Sequence, residues 1–485
     1  MIDLPSRIAA GVAAVSFVAA VAFPVQADTP AAEKQLRLAR RLAVTDTAEA
    51  KAAFDRALEL DPDGPWADDA LLESVLLDGP PATPAALGGI DEARRDAWLA
   101  RLSRVSATAD RGREARRWAS VLHLVPQPGR DARAARRGFL ELTSDPVDDT
   151  DAAQARTWLG WVDSIEGRGA AAADAWTRVV ADARDPEASR AACGHLADWF
   201  LRAERPRDAL GWNERARGLG GGDDDFARLA WRQWQRIDGR PEGFRGSTAE
   251  RLVDGLRGDL SIGRGAGNDR WIARFRDGVV ERRRGDDPAA TWSVTRLSAF
   301  AVDPYGRGFA ASDREVFSLV DGGRVRLAEV GGFGAPRALA IDRNGVVWAI
   351  DRRGSKLARL TGAGVLEVVH EDRSARWIDL EAALDGPVAV DGKTGRLQRF
   401  DRDGRPSVGI DAPGRPVALA LDAADWTYAL DARAKRVEVR SSQGALREQI
   451  DLTSLGIVRP EALAVDPDGG LVVYDADGGV VKRFP

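Results

Sequence analysis

Residues 337–370 read RALAIDRNGVVWAIDRRGSKLARLTGAGVLEVVH, and this stretch decides the architecture of the second half of the chain. It holds four short runs, RALAID, VVWAID, KLARLT and VLEVVH, each alternating along its length and each bounded by turn residues. That pattern is one four-stranded antiparallel sheet. Near-copies flank it. AFAVD, FAASD, EVFSLV and RVRLAEV fill Ala299 to Val330; VALALD, TYALD, RVEVRS and ALREQID fill Val417 to Asp451; EALAVD, LVVYD and VVKRFP fill Glu461 to Pro485.

Asp303, Asp342, Asp422 and Asp466 end the equivalent first strands. The gap between Asp342 and Asp422 is double the others and leaves room for one more sheet, visible as PVAVD, whose strand ends at Asp391, and RLQRFD. A sheet every 40 or so residues is the period of a β-propeller, in which a closed ring buries faces that a single small sheet would leave wet. DPYG, DRNG and DPDG recur between first and second strands, with Asp opening and Gly closing a type I turn. These residues resemble an NHL-type propeller. Residues 248–485, at about 40 residues a blade, make six blades. The first blade is drawn from LVDGL, DLSIG, RWIARF and VVERRR. The last blade stops after VVKRFP, so its outer strand is expected from Thr248 to Asp254, closing the ring.

The preceding half has a different period. From Ala31 to about Gly239 it is rich in Ala, Leu, Arg and Glu, broken by Pro and Gly into helix-length segments. In KAAFDRALELDP, Ala50, Phe54 and Ala57 share one helical stripe before Pro62. Leu159-Gly160, Gly167, Ala172 and Trp176 repeat the spacing, with small residues where two helices approach closely; Trp98, Leu102, Trp118 and Pro126 form a looser copy. These stretches resemble tetratricopeptide repeats, and the resemblance implies an α-solenoid whose concave face binds peptides or proteins. Trp118, Trp158 and Trp176 are read as core. The fold class is thus an N-terminal α-solenoid over 28–240, a linker at 241–247 and a six-bladed propeller over 248–485.

Residues 1–27 read as a signal peptide: Arg7, an apolar run from Ile8 to Phe23, and Val25-Gln26-Ala27 before a cleavage point. The expected location is periplasmic or secreted. A net charge of -5 gives no global basic footprint for nucleic acid. One cysteine, Cys193, excludes an intramolecular disulfide framework.

Chemistry is sparse. His123, His195 and His370 have no metal-ligand spacing, and neither HExxH nor GxSxG occurs. DPDG at Asp466 and DADG at Asp475 lack the distal Glu of a calcium loop and read as turns. No catalytic residue, metal or cofactor is assigned, which favours binding over catalysis. Arg314, Arg352, Arg353, Lys393 and Arg433 follow the second strands, just after Asp313, Asp351, Asp391 and Asp431, on loops that share one propeller face. They form a candidate surface for an acidic partner. Local pairing is the competing reading, because Asp351 and Lys356, Asp391 and Arg396, and Asp431 and Arg436 stand five residues apart. The expected function is a non-catalytic envelope scaffold that binds other envelope proteins through the solenoid groove and a propeller face. The alternatives are a propeller hydrolase, lactonase or lyase, and a glycan or cell-wall polymer binder.

Overall fold

A computed structural model describes residues 30–79, 81, 83–107, 111–126, 130–182, 185–239, 249–264, 269–284, 287–321, 323–411 and 414–485. The signal segment 1–27 and the linker 241–247 lie outside the described residues. Among those described, eleven α-helices precede a six-bladed propeller. The helices are α1 (Ala31–Leu42), α2 (Thr47–Leu60), α3 (Ala67–Leu76), α4 (Glu92–Leu102), α5 (Gly112–Leu122), α6 (Ala132–Ser144), α7 (Asp149–Ile165), α8 (Gly169–Asp182), α9 (Pro186–Arg202), α10 (Pro206–Gly218) and α11 (Asp224–Ile237).

The helices do not pack as one body. Residues up to Val125, with Arg133–Ser144, form one compact unit, whereas Pro126–Ala132 and Asp145–Pro485 form a second that contains α7–α11 and the whole propeller. The first unit is built on the stripe foreseen in α2, where Ala50, Phe54 and Ala57 are buried and Asp46 caps the helix through Glu49 N at 2.9 Å. Leu36, Ala39 and Ala70 complete that core. The change of secondary structure near residue 240 is therefore not where the packing divides.

The propeller is a ring of six four-stranded antiparallel sheets. Blade 1 holds β2 (Leu260–Arg264), β3 (Asp269–Arg274), β4 (Val279–Arg284) and β5 (Asp287–Ser293). Blade 2 holds β6 (Ala299–Val302), β7 (Gly308–Ala311), β8 (Glu315–Val320) and β9 (Gly323–Glu329). Blade 3 holds β10 (Pro336–Ile341), β11 (Val347–Asp351), β12 (Lys356–Leu360) and β13 (Leu366–Glu371). Blade 4 holds β14 (Trp377–Ala383), β15 (Gly386–Asp391), β16 (Leu397–Phe400) and β17 (Pro406–Ile410). Blade 5 holds β18 (Ala418–Leu421), β19 (Thr427–Asp431), β20 (Arg436–Arg440) and β21 (Leu446–Asp451). Blade 6 holds β22 (Pro460–Val465), β23 (Leu471–Asp475) and β24 (Val480–Phe484), and its outer strand is β1 (Glu250–Val253), which pairs with β24 in the closure foreseen from the truncated last blade. That closure removes the sheet edge.

Two strand readings change. LVDGL contributes to β1 in blade 6 and not to blade 1, whose fourth strand is instead β5, DPAATWS, a segment with too few alternating apolar residues to announce itself. Blade 4 begins with β14, WIDLEAA, which lacks both the Ala-rich pattern and the Asp–Gly turn of its equivalents.

The turns between first and second strands explain the recurring aspartates. Asp303 Oδ1 accepts Tyr305 N (3.0 Å) and Arg307 N (2.8 Å), and Asp342 Oδ1 accepts Asn344 N (2.8 Å) and Val346 N (3.0 Å). Gly306 and Gly345 close these turns at φ 83° and 77°, a conformation that costs glycine nothing. In blade 5 the same position is Asp425 at φ 64°. Its carboxylate has a reason to be there: Arg202 of α9 donates to it at 2.5 Å.

Arg202 is one of many ties between α7–α11 and this end of the propeller. Leu201, Ala209, Leu229 and Ala230 share a single buried cluster with Trp426, Tyr428, Ile450 and Val473. Gln233 Nε2 donates to Asp422 Oδ2 (3.1 Å), and Arg236 donates to Glu448 (2.7 Å) and to Tyr428 Oη (2.9 Å). Glu204 accepts from Ser442 Oγ, Gln443 N and Arg447. Arg343 of blade 3 reaches Asp198 of α9 at 3.5 Å, and Leu229 and Arg232 of α11 lie against Gly469 of blade 6. The helices therefore pack on the first turns of blades 3, 5 and 6.

Candidate functional site

The first strands β2, β6, β10, β14, β18 and β22 are neighbours in a closed ring and enclose a central channel of about 640 Å³. That volume lies within the range of small-molecule sites. One end of the channel is bounded by the turns just described, including Asp303, Arg343, Asp422 and Asp425, which carry the helices. The other end is formed by the loops that enter each first strand.

Strand register shows what is unusual in the wall. Ala340 pairs with Trp348, Ala301 with Phe309, Ala420 with Tyr428 and Ala464 with Val472, so these four alanines are equivalent. Ala338, Ala299, Ala418 and Ala462 are equivalent two residues earlier. In blade 4 the same two positions are Asp379, opposite Val390, and Glu381, opposite Val388. Blade 1, across the ring, has Ser261 and Gly263 there. At these two register positions the other five first strands carry only alanine, serine or glycine, and β14 carries two carboxylates.

Asp379 accepts Leu419 N (2.7 Å) from the next blade and Leu380 N (3.0 Å). Burial nevertheless pushes its carboxyl up to about 6. Glu381 forms no side-chain hydrogen bond or ion pair among the described residues. Burial, with Asp379 adding to it, pushes its carboxyl up to about 8. Near the open end Arg337 lines the channel, its guanidinium pKa brought down by burial and by neighbouring Arg376, while Asp379 and Asp259 act to raise it. Neither Arg337 nor Arg376 has an ion pair among the described residues. The sequence reading had missed all four of these groups. Comparing WIDLEAA with RALAID, VALALD and EALAVD would have found the two carboxylates.

The five basic residues lie on the loops between second and third strands, Arg314 in blade 2, Arg352 and Arg353 in blade 3, Lys393 in blade 4 and Arg433 in blade 5. These loops belong to the end of the ring away from the first turns, and all five side chains are exposed. The expected five-residue pairs do not form as foreseen for Asp351 and Asp391. Asp351 Oδ1 accepts the backbone N–H of Ser355 (2.7 Å) and Lys356 (2.8 Å), and Asp391 accepts Lys393 N (2.9 Å) and Thr394 Oγ1 (2.6 Å). Arg396 pairs with Asp411 instead. Asp431 likewise accepts Ala434 N (2.9 Å) and Arg415 N (3.1 Å). A strand-end carboxylate faces the converging N–H groups of its own turn, which leaves the loop cations pointing outward. In blade 2 the equivalent residue is Ser312, whose Oγ accepts Arg314 N (3.2 Å) and Glu315 N (3.1 Å); Asp313 instead pairs with Arg296.

Among the described residues no group of three or more His, Cys, Asp or Glu is placed to hold a metal ion. Asp466 binds Arg483 and Arg270, and Asp475 accepts Val458 N (3.2 Å) and Arg459 N (2.9 Å). His195 stacks on Trp161 and Trp176, and burial pushes it down to about 4. Trp176 is buried and donates to Thr157 O (3.0 Å), whereas Trp118 and Trp158 are only half-buried.

No family model matches the chain, and no curated protein sequence matches it. Solved structures with a similar fold include virginiamycin B lyase from Staphylococcus aureus (12% identity, TM-score 0.39, 47% of this chain and 80% of that one). They also include the calcium-binding protein regucalcin from Agrobacterium tumefaciens (16% identity, TM-score 0.40, 49% and 93%). A luciferin-regenerating enzyme is a third (14% identity, TM-score 0.39, 49% and 95%). Likeness at this level says nothing of this chain's chemistry.

Proposed function

We propose that the protein is a non-catalytic binding scaffold of the cell envelope, in which the propeller face away from α7–α11 receives an acidic protein partner. The observation that carries this reading is the fate of the strand-end carboxylates. Asp351 and Asp431 accept backbone N–H groups of their own turns, and Arg314, Arg352, Arg353 and Arg433 make no ion pair among the described residues and stand exposed on one set of loops. Exposed like charges on one face speed encounter with an oppositely charged partner and lose that effect as salt shortens the Debye length to roughly 8 Å at 0.15 M. The opposite face is already engaged by the chain's own helices.

The test is a photo-crosslinker at Arg353 or Arg433 in intact cells, followed by association rates of the captured partner with wild type and with Arg353→Glu/Arg433→Glu. Slower association at low salt, converging with wild type at high salt, supports the proposal. Equal rates across both conditions overturn it.

A second reading, a hydrolase or lyase, is favoured by one observation, the Asp379 and Glu381 pair in the channel, because a carboxyl titrating near neutrality suits a general acid or base. Turnover of an ester or lactone that disappears in Glu381→Gln would establish it; no turnover by the wild type would dismiss it, and turnover retained by the variant would dismiss the role of Glu381.

A further inference from the structure

Of the two carboxylates that stand where other blades have alanine, Asp379 ties blade 4 to blade 5 through Leu419 N (2.7 Å), whereas Glu381 has no hydrogen-bond or ion-pair partner among the described residues. Ala338 and Ala340 pack in blade 3 without them, and like charges side by side under burial weigh against folding. Strand-to-strand closure does not need Glu381, since the neighbouring first strands of the alanine blades adjoin in the same ring. Such a departure from an otherwise consistent repeat marks a site where binding outweighs stability.

The channel has a second charged feature, Arg337, on the adjoining first strand. Arg337 precedes Ala338 in register, so it stands one position above Asp379 and three above Glu381 along the channel wall. At about 3.3 Å per residue the backbone positions of Arg337 and Glu381 are roughly 10 Å apart along the strand direction. Arg376 lies close enough to Arg337 to act on its charge. At the same mouth, Glu461 is drawn to Arg459 at 3.1 Å, and Asp259 faces Arg337.

We propose that the propeller channel binds a short peptide with free ends, two or three residues long, its ammonium group between Asp379 and Glu381 and its carboxylate at Arg337. A free amino acid holds its two charges too close together to reach both levels. An extended chain gains at most about 3.3–3.6 Å per residue, so two to three residues span the interval. The small residues Ser261, Gly263, Ala301, Ala420 and Ala464 are among those that line the channel. Arg337 stands at the mouth away from the turns on which α9 and α11 pack.

Ammonium binding favours an ionised Glu381, so it expels the proton that this carboxyl holds at neutral pH. Asp379 on the same strand is the charged group that acts on Glu381, and Arg337 on the adjoining blade acts in turn on Asp379.

The experiment is calorimetric titration of the full chain with Ala-Ala, Ala-Ala-Ala, N-acetyl-Ala-Ala-Ala and Ala-Ala-Ala amide, in two buffers of different ionisation enthalpy. The free tripeptide or dipeptide is expected to bind with proton release, and each capped peptide to bind at least about tenfold more weakly, the worth of one charge-assisted contact. Glu381→Gln should lower affinity for free peptide without affecting the acetylated one, and Arg337→Ala should do so without affecting the amide. Equal affinity for capped and free peptides overturns the assignment, as does the absence of heat with every peptide at millimolar concentration. Because the capped and free peptides are compared on wild-type protein, the outcome does not depend on either variant folding.

Discussion

Arg236 Nε on α11 donates to Glu448 Oε2 on β21 at 2.7 Å, with both side chains more than nine-tenths buried. The same guanidinium reaches Tyr428 Oη, whose neighbour Asp422 accepts from Gln233. A helix that reads as polar thus inserts its charge into a propeller blade. Removing one partner of a buried pair strands the other, at about 3–5 kcal/mol. Arg236→Ala is expected to lower stability by that order in chemical denaturation. Arg236→Ala with Glu448→Gln should recover part of the loss, and an unchanged midpoint for the single variant would contradict the coupling.

The shared core makes a second prediction about fragments. Leu201, Ala209, Leu229 and Ala230 bury apolar surface of blades 5 and 6, so a propeller cut at residue 249 exposes that cluster to water. A fragment of residues 145–485 should melt in one cooperative transition, while 249–485 should melt lower and bind a hydrophobic dye such as ANS. Equal melting of the two would mean that α7–α11 only rest on the propeller.

Within the helices, Gly160 of α7 faces the indole of Trp176 on α8. A β-carbon there would stand 2.5 Å from Trp176 Nε1, closer than packed atoms tolerate. Gly160→Ala gains helix propensity yet must push the ring away from Thr157 O, and overpacking of this kind costs about 1–3 kcal/mol. Thermal melting and tryptophan fluorescence should both shift; a stabilised variant would show that the ring has room to move.

How much of this was legible in the sequence depends on whether a residue obeys the repeat. The strands of blades 2, 3, 5 and 6 were readable because Ala-x-Ala recurs at one period, with Asp-x-x-Gly after it in blades 2, 3 and 6, and the missing outer strand followed from counting. β14 was overlooked for the reason that makes it a candidate site: Asp379, Glu381 and Ala383 replace the residues by which its equivalents are recognised. The attachment of α7–α11 to the propeller was hidden because helical periodicity reports a buried stripe but not what buries it. Gln233 and Arg236, which make that contact, carry no apolar signal. Likewise, the strand-end aspartates suggested side-chain ion pairs, whereas the N–H groups of their own turns are nearer.

The half-buried carboxyls of blade 4 give a pH prediction whose sign can be worked out. Glu381 titrates at about 8 in the folded chain, against an ordinary value of 4.5, so the folded state keeps a proton that the unfolded state has released. Its contribution is favourable below 4.5 and is lost as pH rises toward 8, after which it is constant. Asp379, raised to about 6 from 3.8, acts in the same direction over the lower part of that window. Glutamine matches the protonated carboxyl in shape and does not titrate. Glu381→Gln should therefore melt near wild type at about pH 4.5, gain steadily on it up to about pH 8, and keep a constant advantage beyond, because only the wild type must then bury a second negative charge beside Asp379. In an Asp379→Asn background the advantage should shrink, since that neighbouring charge contributes to the rise. Melting curves across this range decide the matter: a Tm difference that does not change with pH would show that Glu381 is solvated and ionised like a surface residue.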